Sequence, residues 1–420
     1  MKNRNIEILF ILLTFMGLLS FLFDSPLYDF LYAALLFVLI AFKAKLSFFT
    51  ELSFILVFSY MQGVIQKEVG SISGSTLAWA GIKMPFYFDD LTISTFSFLI
   101  TAFWFINYTP LLEREKAVYK TKIKLSKFTA VLFAILAFLM ILMVFPSLPT
   151  LTFSEGSRAR NDSVPYGLVL LCLVMLGIVY DSLQRQKWLI GIYIFAVFWI
   201  FGHGERVEIL GFLSYVALKY MSALDLSKAR KSLIKHKKRL LYIVGAVFVI
   251  LAMWIGLKRG GASSVTISDI VMNLFIQPTC GDVVYCFNCA ADLWHTGNGL
   301  WGYTYTDYLL QLIPGSTGAF SAAEILLKLR NTMGGALFYS EAMMNFGIIG
   351  VILSNVEFFI VMNLILKYRR GINEWIWIPI TIEIFRIAWY GRSGWILVGF
   401  VELPLLYTAT KCFFNKVRIR

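Results

Sequence analysis

Residues 240–257, LLYIVGAVFVILAMWIGL, run for eighteen positions without a charged side chain. A bilayer core is crossed by a helix of about 20 mostly apolar residues. The run is continuous rather than alternating, and lipid requires a spanning segment to satisfy its own backbone, so a helix is expected. Charge fences it on both sides, with Lys228–Arg239 before it and Lys258-Arg259 after it. Working outward, the same pattern recurs at 6–23, 27–42, 46–64, 86–107, 128–145, 164–180, 188–201, 208–222, 344–366, 372–390 and 395–410. The expected fold is therefore an all-α polytopic membrane protein with about 12 transmembrane helices. Composition agrees. The 420 residues are 59% hydrophobic, 16% aromatic and only 15% charged, and the mean hydropathy is +0.73. Soluble domains carry roughly 25% charged residues. A soluble enzyme, a disordered chain and a disulfide scaffold are thereby excluded, the last because five cysteines are too sparse.

The net charge of +13 is explained by topology. With the N-terminus inside, the inner segments hold 26 Lys and Arg and the outer segments 10, while Lys219 and Arg386 fall within spans. Leaving out the long outer loop, the contrast is 26 against 6, the asymmetry of the positive-inside rule. Both termini are expected on the cytoplasmic side. The basic run Lys228–Arg239 reads as a topology signal resting on anionic headgroups, so membrane lipids are expected partners and nucleic acid is not. The first apolar run ends in Phe23-Asp24-Ser25-Pro26 without a small-residue cleavage site, so it is expected to remain as a span. The chain then divides into 1–257 with nine spans, a large outer loop at 258–343, and 344–420 with three more.

The loop carries 86 residues and three amphipathic signatures. Thr266–Gln277 spaces Ile267, Ile270, Val271, Leu274 and Phe275 helically, and Pro278 closes the run. Thr304-x-x-Asp307 and Ser321-x-x-Glu324 read as capping boxes before two further short helices. Between them lies Trp294-His-Thr-Gly-Asn-Gly-Leu-Trp301-Gly-Tyr303-Thr-Tyr305. Aromatic faces beside amide and hydroxyl groups suit sugars, which makes Trp294, Trp301, Tyr303 and Tyr305 glycan-binding candidates. The same stretch also reads as an ordinary aromatic belt at the membrane interface. Cys280, Cys286, Cys289 and His295 fall within sixteen residues. Zinc ligation, a disulfide and buried free thiols all remain open, although the five-residue spacings are not those of a compact zinc finger. No metal and no cofactor are expected.

Against the inside bias, cations on the outer side are informative. Arg158 and Arg160 follow span five, Arg206 follows span seven, Arg259 opens the long loop, and Arg392 lies between the last two spans. Guanidinium forks match phosphate oxygens and stay charged, so these five are candidates for gripping a lipid diphosphate. The alternative is interfacial anchoring, or pairing with Glu155, Asp162, Glu205 and Glu208. Glu383 and Arg386 stand three apart on the span expected at 372–390, which would put them on one face. Asp89 and Asp90 lie near the outer end of span four, but adjacent helical carboxylates diverge and form no dyad by themselves. Asp29, Glu51, Glu357, Glu374 and Glu402, in or beside spans, keep a transporter reading open.

The segment Thr332-Met-Gly-Gly-Ala-Leu-Phe-Tyr-Ser-Glu341-Ala-Met-Met-Asn345-Phe-Gly347-Ile-Ile-Gly350 joins the loop to the next span. It resembles the corresponding junction of Wzy-type O-antigen polymerases, as do the dozen expected spans, the late outer loop and the outer arginines. The resemblance implies a multi-pass protein of the bacterial inner membrane. It implies a glycosyltransferase that joins undecaprenyl-diphosphate-linked oligosaccharide repeat units in surface-polysaccharide synthesis. A hydroxyl of one unit would attack the anomeric carbon of the growing chain, which needs a general base and cations for the departing diphosphate. Glu341 is the first candidate for the base and His295 the second. A chain-length regulator protein is a further partner that the resemblance admits. The alternatives are an O-antigen ligase, with His295 in the role of that family's loop histidine, and a lipid-linked oligosaccharide flippase or secondary transporter.

Overall fold

The computed structural model describes residues 3–23, 25–69, 84–149, 161, 167–183, 186–225, 231–259, 265–311, 322–330, 332, 334–367, 373–391, 405, 407–408 and 418–419. Apart from one two-residue strand pair, Ile123–Lys124 with Arg418–Ile419, the regular structure among these residues is helical. Among the described residues, eight helical runs are long and apolar enough to cross a membrane: Pro26–Ala44, Phe48–Val69, Phe88–Tyr108, Lys127–Val144, Arg206–Leu224, His236–Lys258, Ile267–His295 and Ser340–Lys367. Shorter apolar helices lie at Glu7–Leu19, Gly167–Ser182 and Leu189–Gly202. The surface of the long helices is inverted relative to a soluble protein. On the helix Lys231–Arg259, Leu240, Ile243, Val247, Ile250 and Leu251 are all exposed. An apolar face this large demands a nonaqueous neighbour, and the chain is membrane-embedded.

The chain folds as two compact units. The first comprises Met1–Arg114, Ile276–Lys367 and Arg386–Gly394. Its helices used below are α1 (Asn3–Phe23), α2 (Pro26–Ala44), α3 (Phe48–Val69), α4 (Phe88–Tyr108), α12 (Pro278–His295), α13 (Tyr303–Gln311), α14 (Ala322–Arg330) and α15 (Ser340–Lys367), numbered along the whole chain. The core is aromatic: Phe98, Phe338, Phe358 and Phe359 meet edge-on or tilted at ring-centroid distances from 5.1 Å for Phe338–Phe358 to 6.5 Å for Phe98–Phe358. Several polar side chains bond back to their own helix, as Ser53 does to the Phe49 carbonyl and Thr95 to that of Leu91, and others join helices. Asn355 donates to Ser97 Oγ at 2.7 Å, joining α15 to α4, and Trp389 Nε1 donates to Ser59 Oγ at 3.0 Å.

The second unit comprises Glu115–Phe275, Tyr368–Phe385 and Trp395–Arg420. It contains α5 (Leu111–Lys120) in its larger part, α6 (Lys127–Val144), α7 (Gly167–Val179), α8 (Leu189–Gly202), α9 (Arg206–Asp225), α10 (Lys231–Arg259), α11 (Ile267–Phe275) and α16 (Asn373–Ile382). Phe212, Trp375 and Trp377 are fully buried. Gly211 lets α9 press against the carbonyl of Ile382, a place no side chain fits. The single span expected over 372–390 is broken: α16, with Pro379 inside it, stops at Ile382, and α17 (Ile384–Trp389) resumes after Glu383. A proline removes one helical hydrogen bond and crowds the preceding turn. The span expected at 395–410 lies almost wholly outside the described residues.

The loop expected at 258–343 is not three surface helices alone. α11, α13 and α14 correspond to the expected ones, but Pro278 starts a helix instead of merely ending one. It occupies the first turn of α12, where its missing N–H costs nothing, and the Gln277 side chain caps that helix by accepting from Cys280 N–H at 2.8 Å. Residues 283–291 of α12 are buried against α3 and α15.

Candidate functional site

The residues singled out by chemistry in the first unit converge at one of its ends, where α4 begins, α12 finishes and α15 begins. His295 is the last residue of α12. Its Nε2 lies 2.6 Å from Asp90 Oδ2, in the first turn of α4, and its ring stacks on Tyr87 at 4.6 Å with 8° between planes. A hydrogen bond to one ring nitrogen fixes the tautomer. With Nε2–H donated to Asp90, Nδ1 carries the lone pair. The His295 side chain is 44% exposed.

Tyr87 is held from below. Its hydroxyl donates to Asp292 Oδ1 at 3.3 Å, and Asp292 Oδ2 is 2.6 Å from Arg330 Nη2 of α14. Partial desolvation, with the Asp292 carboxylate beside it, raises the Tyr87 phenol from its ordinary value. The Tyr87 backbone N–H is in turn accepted by Asn288 Oδ1 of α12 at 2.8 Å. A plane of fixed groups therefore sets the imidazole.

The aromatic stretch after His295 wraps the same end. Trp294 packs against Trp301 at 5.1 Å between ring centroids. Its indole fills the space over Gly347, which is left-handed at φ +62° and kinks α15; a Cβ there would strike the Trp294 ring. Trp301 itself has φ +49° and is 73% exposed. A bulky residue in that region is strained by about 1–3 kcal/mol. Neither backbone preference nor burial accounts for tryptophan at this position. Tyr303 is exposed, and Tyr305 stacks on Phe346 at 6.2 Å.

Glu341 lies directly beneath. It belongs to the first turn of α15 and is 0% exposed. Thr304 Oγ1 donates to Glu341 Oε1 at 3.2 Å. Asn345 Nδ2 donates to Thr304 Oγ1 and to Glu341 O, each at 2.7 Å, and Asn345 Oδ1 accepts from Gly302 N–H at 2.8 Å. Thr304, expected to cap its own helix, thus spends its only proton on Glu341. The Glu341–Thr304–Asn345 bracket fastens α13 and the aromatic turn to α15. Asp90, Tyr87, Thr304 and the Asp292–Arg330 pair carry no signal as partners in the sequence, because each meets residues tens to hundreds of positions away.

Cys280, Cys286 and Cys289 are buried free thiols on α12. Their spacing of six and three places them along a packed helix, and no group of three metal-binding side chains occurs among the described residues. In the second unit, Arg206 opens α9 and its Nη1 donates to the carbonyl of Ala252 on α10 at 3.1 Å, over Gly256. Arg158, Arg160 and Arg392 lie outside the described residues, as does the side chain of Arg259. His295, Glu341 and the four aromatic candidates are therefore the ones brought together.

What the fold and this end of it define is a helical membrane protein with a carboxylate-oriented histidine beside an exposed aromatic shelf. No protein-family model matches the chain, and neither does any curated protein or solved structure.

Proposed function

We propose that the chain is a glycosyltransferase that polymerises polyprenyl-diphosphate-linked oligosaccharide repeat units at the outer face of the bacterial inner membrane. In this reading about twelve helices span the membrane, both termini are cytoplasmic, and the end that carries His295 faces the periplasm. The observation that carries the reading is the Asp90-oriented His295 next to the Trp294–Trp301 shelf.

The chemistry follows from those groups. The aromatic faces hold the sugar rings, whose C–H faces pack on them. His295 Nδ1 takes the proton from the acceptor hydroxyl as its oxygen bonds to the anomeric carbon of the donor. The bond from that carbon to the diphosphate breaks, and undecaprenyl diphosphate leaves with the electron pair. Asp90 stabilises the positive charge that the imidazole gains when it takes the proton. Glu341 is sequestered in its bracket, so it is assigned the positioning of the aromatic turn, and the base role passes to His295. Arg158, Arg160, Arg206, Arg259 and Arg392 are the proposed diphosphate ligands on their sequence pattern alone.

The test is incubation of purified protein with a synthetic undecaprenyl-diphosphate repeat unit. A ladder of lengthened glycans supports the reading, and its absence with authentic substrate rejects it. A second reading, a lipid-linked oligosaccharide carrier, is favoured by the helix interruption at Glu383, because transporters place ligands at broken helices. Movement of the intact repeat unit across a vesicle membrane, with no new glycosidic bond, would decide for it.

A further inference from the structure

The second unit contains a cavity that the proposed reaction does not use. It encloses about 560 Å³, within the range of small-ligand pockets and far more than a water needs. Its wall is cationic: Lys120, Lys122, Lys219 and Lys237 line it, against one carboxylate, Asp181. Glu374 borders only a neighbouring void of about 10 Å³, which it shares with Lys219.

The floor is built rather than incidental. Lys219 is 6% exposed. Its ammonium is 3.0 Å from Asp181 Oδ2 and donates to the carbonyl of Thr121 at 2.6 Å. Asp181 Oδ2 also accepts Ile123 N–H at 2.8 Å, which fixes its orientation. An ammonium has three N–H donors, and two are accounted for by Asp181 and Thr121. Among the described residues Lys120, Lys122 and Lys237 have no carboxylate partner. Lys120, Lys122 and Lys237 are exposed around the mouth and Lys219 is buried at the floor, so four like charges face one space and repel one another unless an anion joins them. Tyr180 and Tyr220 add phenol groups to the wall, as suits a site at a membrane edge.

We infer that this cavity binds a phosphate-bearing anion, either the headgroup of an anionic phospholipid or a free phosphate compound. Lysines are suited to phosphate as mobile point charges, and basic pockets between membrane helices take such headgroups. The inference stands independently of the glycosyltransferase reading, since its residues share no group with the His295 end.

The experiment uses the full chain, purified and placed in nanodiscs of phosphatidylcholine alone or with cardiolipin. Native mass spectrometry counts the cardiolipin retained, and calorimetry measures binding of inorganic pyrophosphate. The wild type is expected to retain cardiolipin. The variant Lys120→Gln/Lys122→Gln/Lys237→Gln is expected to lose affinity roughly a hundredfold, at roughly fivefold per lysine. The corresponding Lys→Arg variant is expected to keep it. Lysine-dependent pyrophosphate binding that displaces the lipid assigns the site to a free phosphate compound; cardiolipin retention that pyrophosphate leaves untouched assigns it to the headgroup. Equal retention by wild type and glutamine variant, or no binding of either probe, overturns the inference. Should the glutamine variant fail to fold, salt decides: wild-type retention that weakens with ionic strength supports the site, and retention indifferent to salt overturns it.

Discussion

If Asp90 acts only by setting and charging His295, removing both groups should be no worse than removing the histidine. The contact is a single one, 2.6 Å between His295 Nε2 and Asp90 Oδ2. Asp90→Asn keeps a hydrogen-bonding group there but takes away the negative charge. A hydrogen bond to a charged group contributes about 1.5–3 kcal/mol, so the loss in kcat should be roughly ten- to a hundredfold. His295→Ala removes the base itself, and general-base catalysis contributes about 10²–10⁴-fold. The double variant should match His295→Ala, because groups acting through one another are not additive. The assay is single-turnover formation of the first glycosidic bond by purified protein in nanodiscs, at saturating lipid-linked donor. Should the two effects multiply in the double variant, Asp90 has a role separate from His295 and the reasoning fails. Unchanged turnover in His295→Ala refutes the base assignment outright.

Other outcomes follow from the same end of the molecule and from the arginines. Gly347→Ala forces a side chain onto the Trp294 indole at a φ of +62°; a loss of about 1–3 kcal/mol should appear as a lowered melting temperature in nanodiscs, and an unchanged one would clear the kink of strain. Glu341→Ala leaves the Thr304 hydroxyl short of its buried acceptor while the Asn345 bond to the residue 341 carbonyl stays, at a cost of about 1–3 kcal/mol; hydrogen exchange over residues 296–311 should rise, and exchange identical to wild type argues against the bracket. Trp301→Ala should raise KM for the glycan with little change in kcat, measured by initial rates, whereas a pure kcat defect would place the ring elsewhere in the chemistry. Arg158→Ala or Arg392→Ala should abolish long-chain surface polysaccharide while the protein still inserts, and normal chain length in every such single variant removes the diphosphate-gripping role.

Membrane character was legible because it depends on composition and run length alone: 240–257 needs no tertiary partner to be read. The aromatic stretch 294–305 and the junction 332–350 were also visible, since unusual residue types cluster there. What escaped was structure that depends on distant partners. The segment 278–295 reads as a collection of cysteines, yet Gln277-Pro278 is a helix start, and the run behind it is mostly apolar or small with Asn288 and Asp292 set among those residues. The Asp90–His295 contact joins positions 205 apart, and no local periodicity encodes it. Thr304-x-x-Asp307 fits a capping pattern, but a buried carboxylate competes more strongly for the hydroxyl than a helix end does. Pro379 was a visible sign that the span at 372–390 would not run straight.

The most direct measurement counts leaving groups. Purified protein given a lipid-diphosphate repeat unit should release one undecaprenyl diphosphate for each glycosidic bond formed, and His295→Ala should suppress both together. Bond formation without that release, or release that continues undiminished in the variant, contradicts the account.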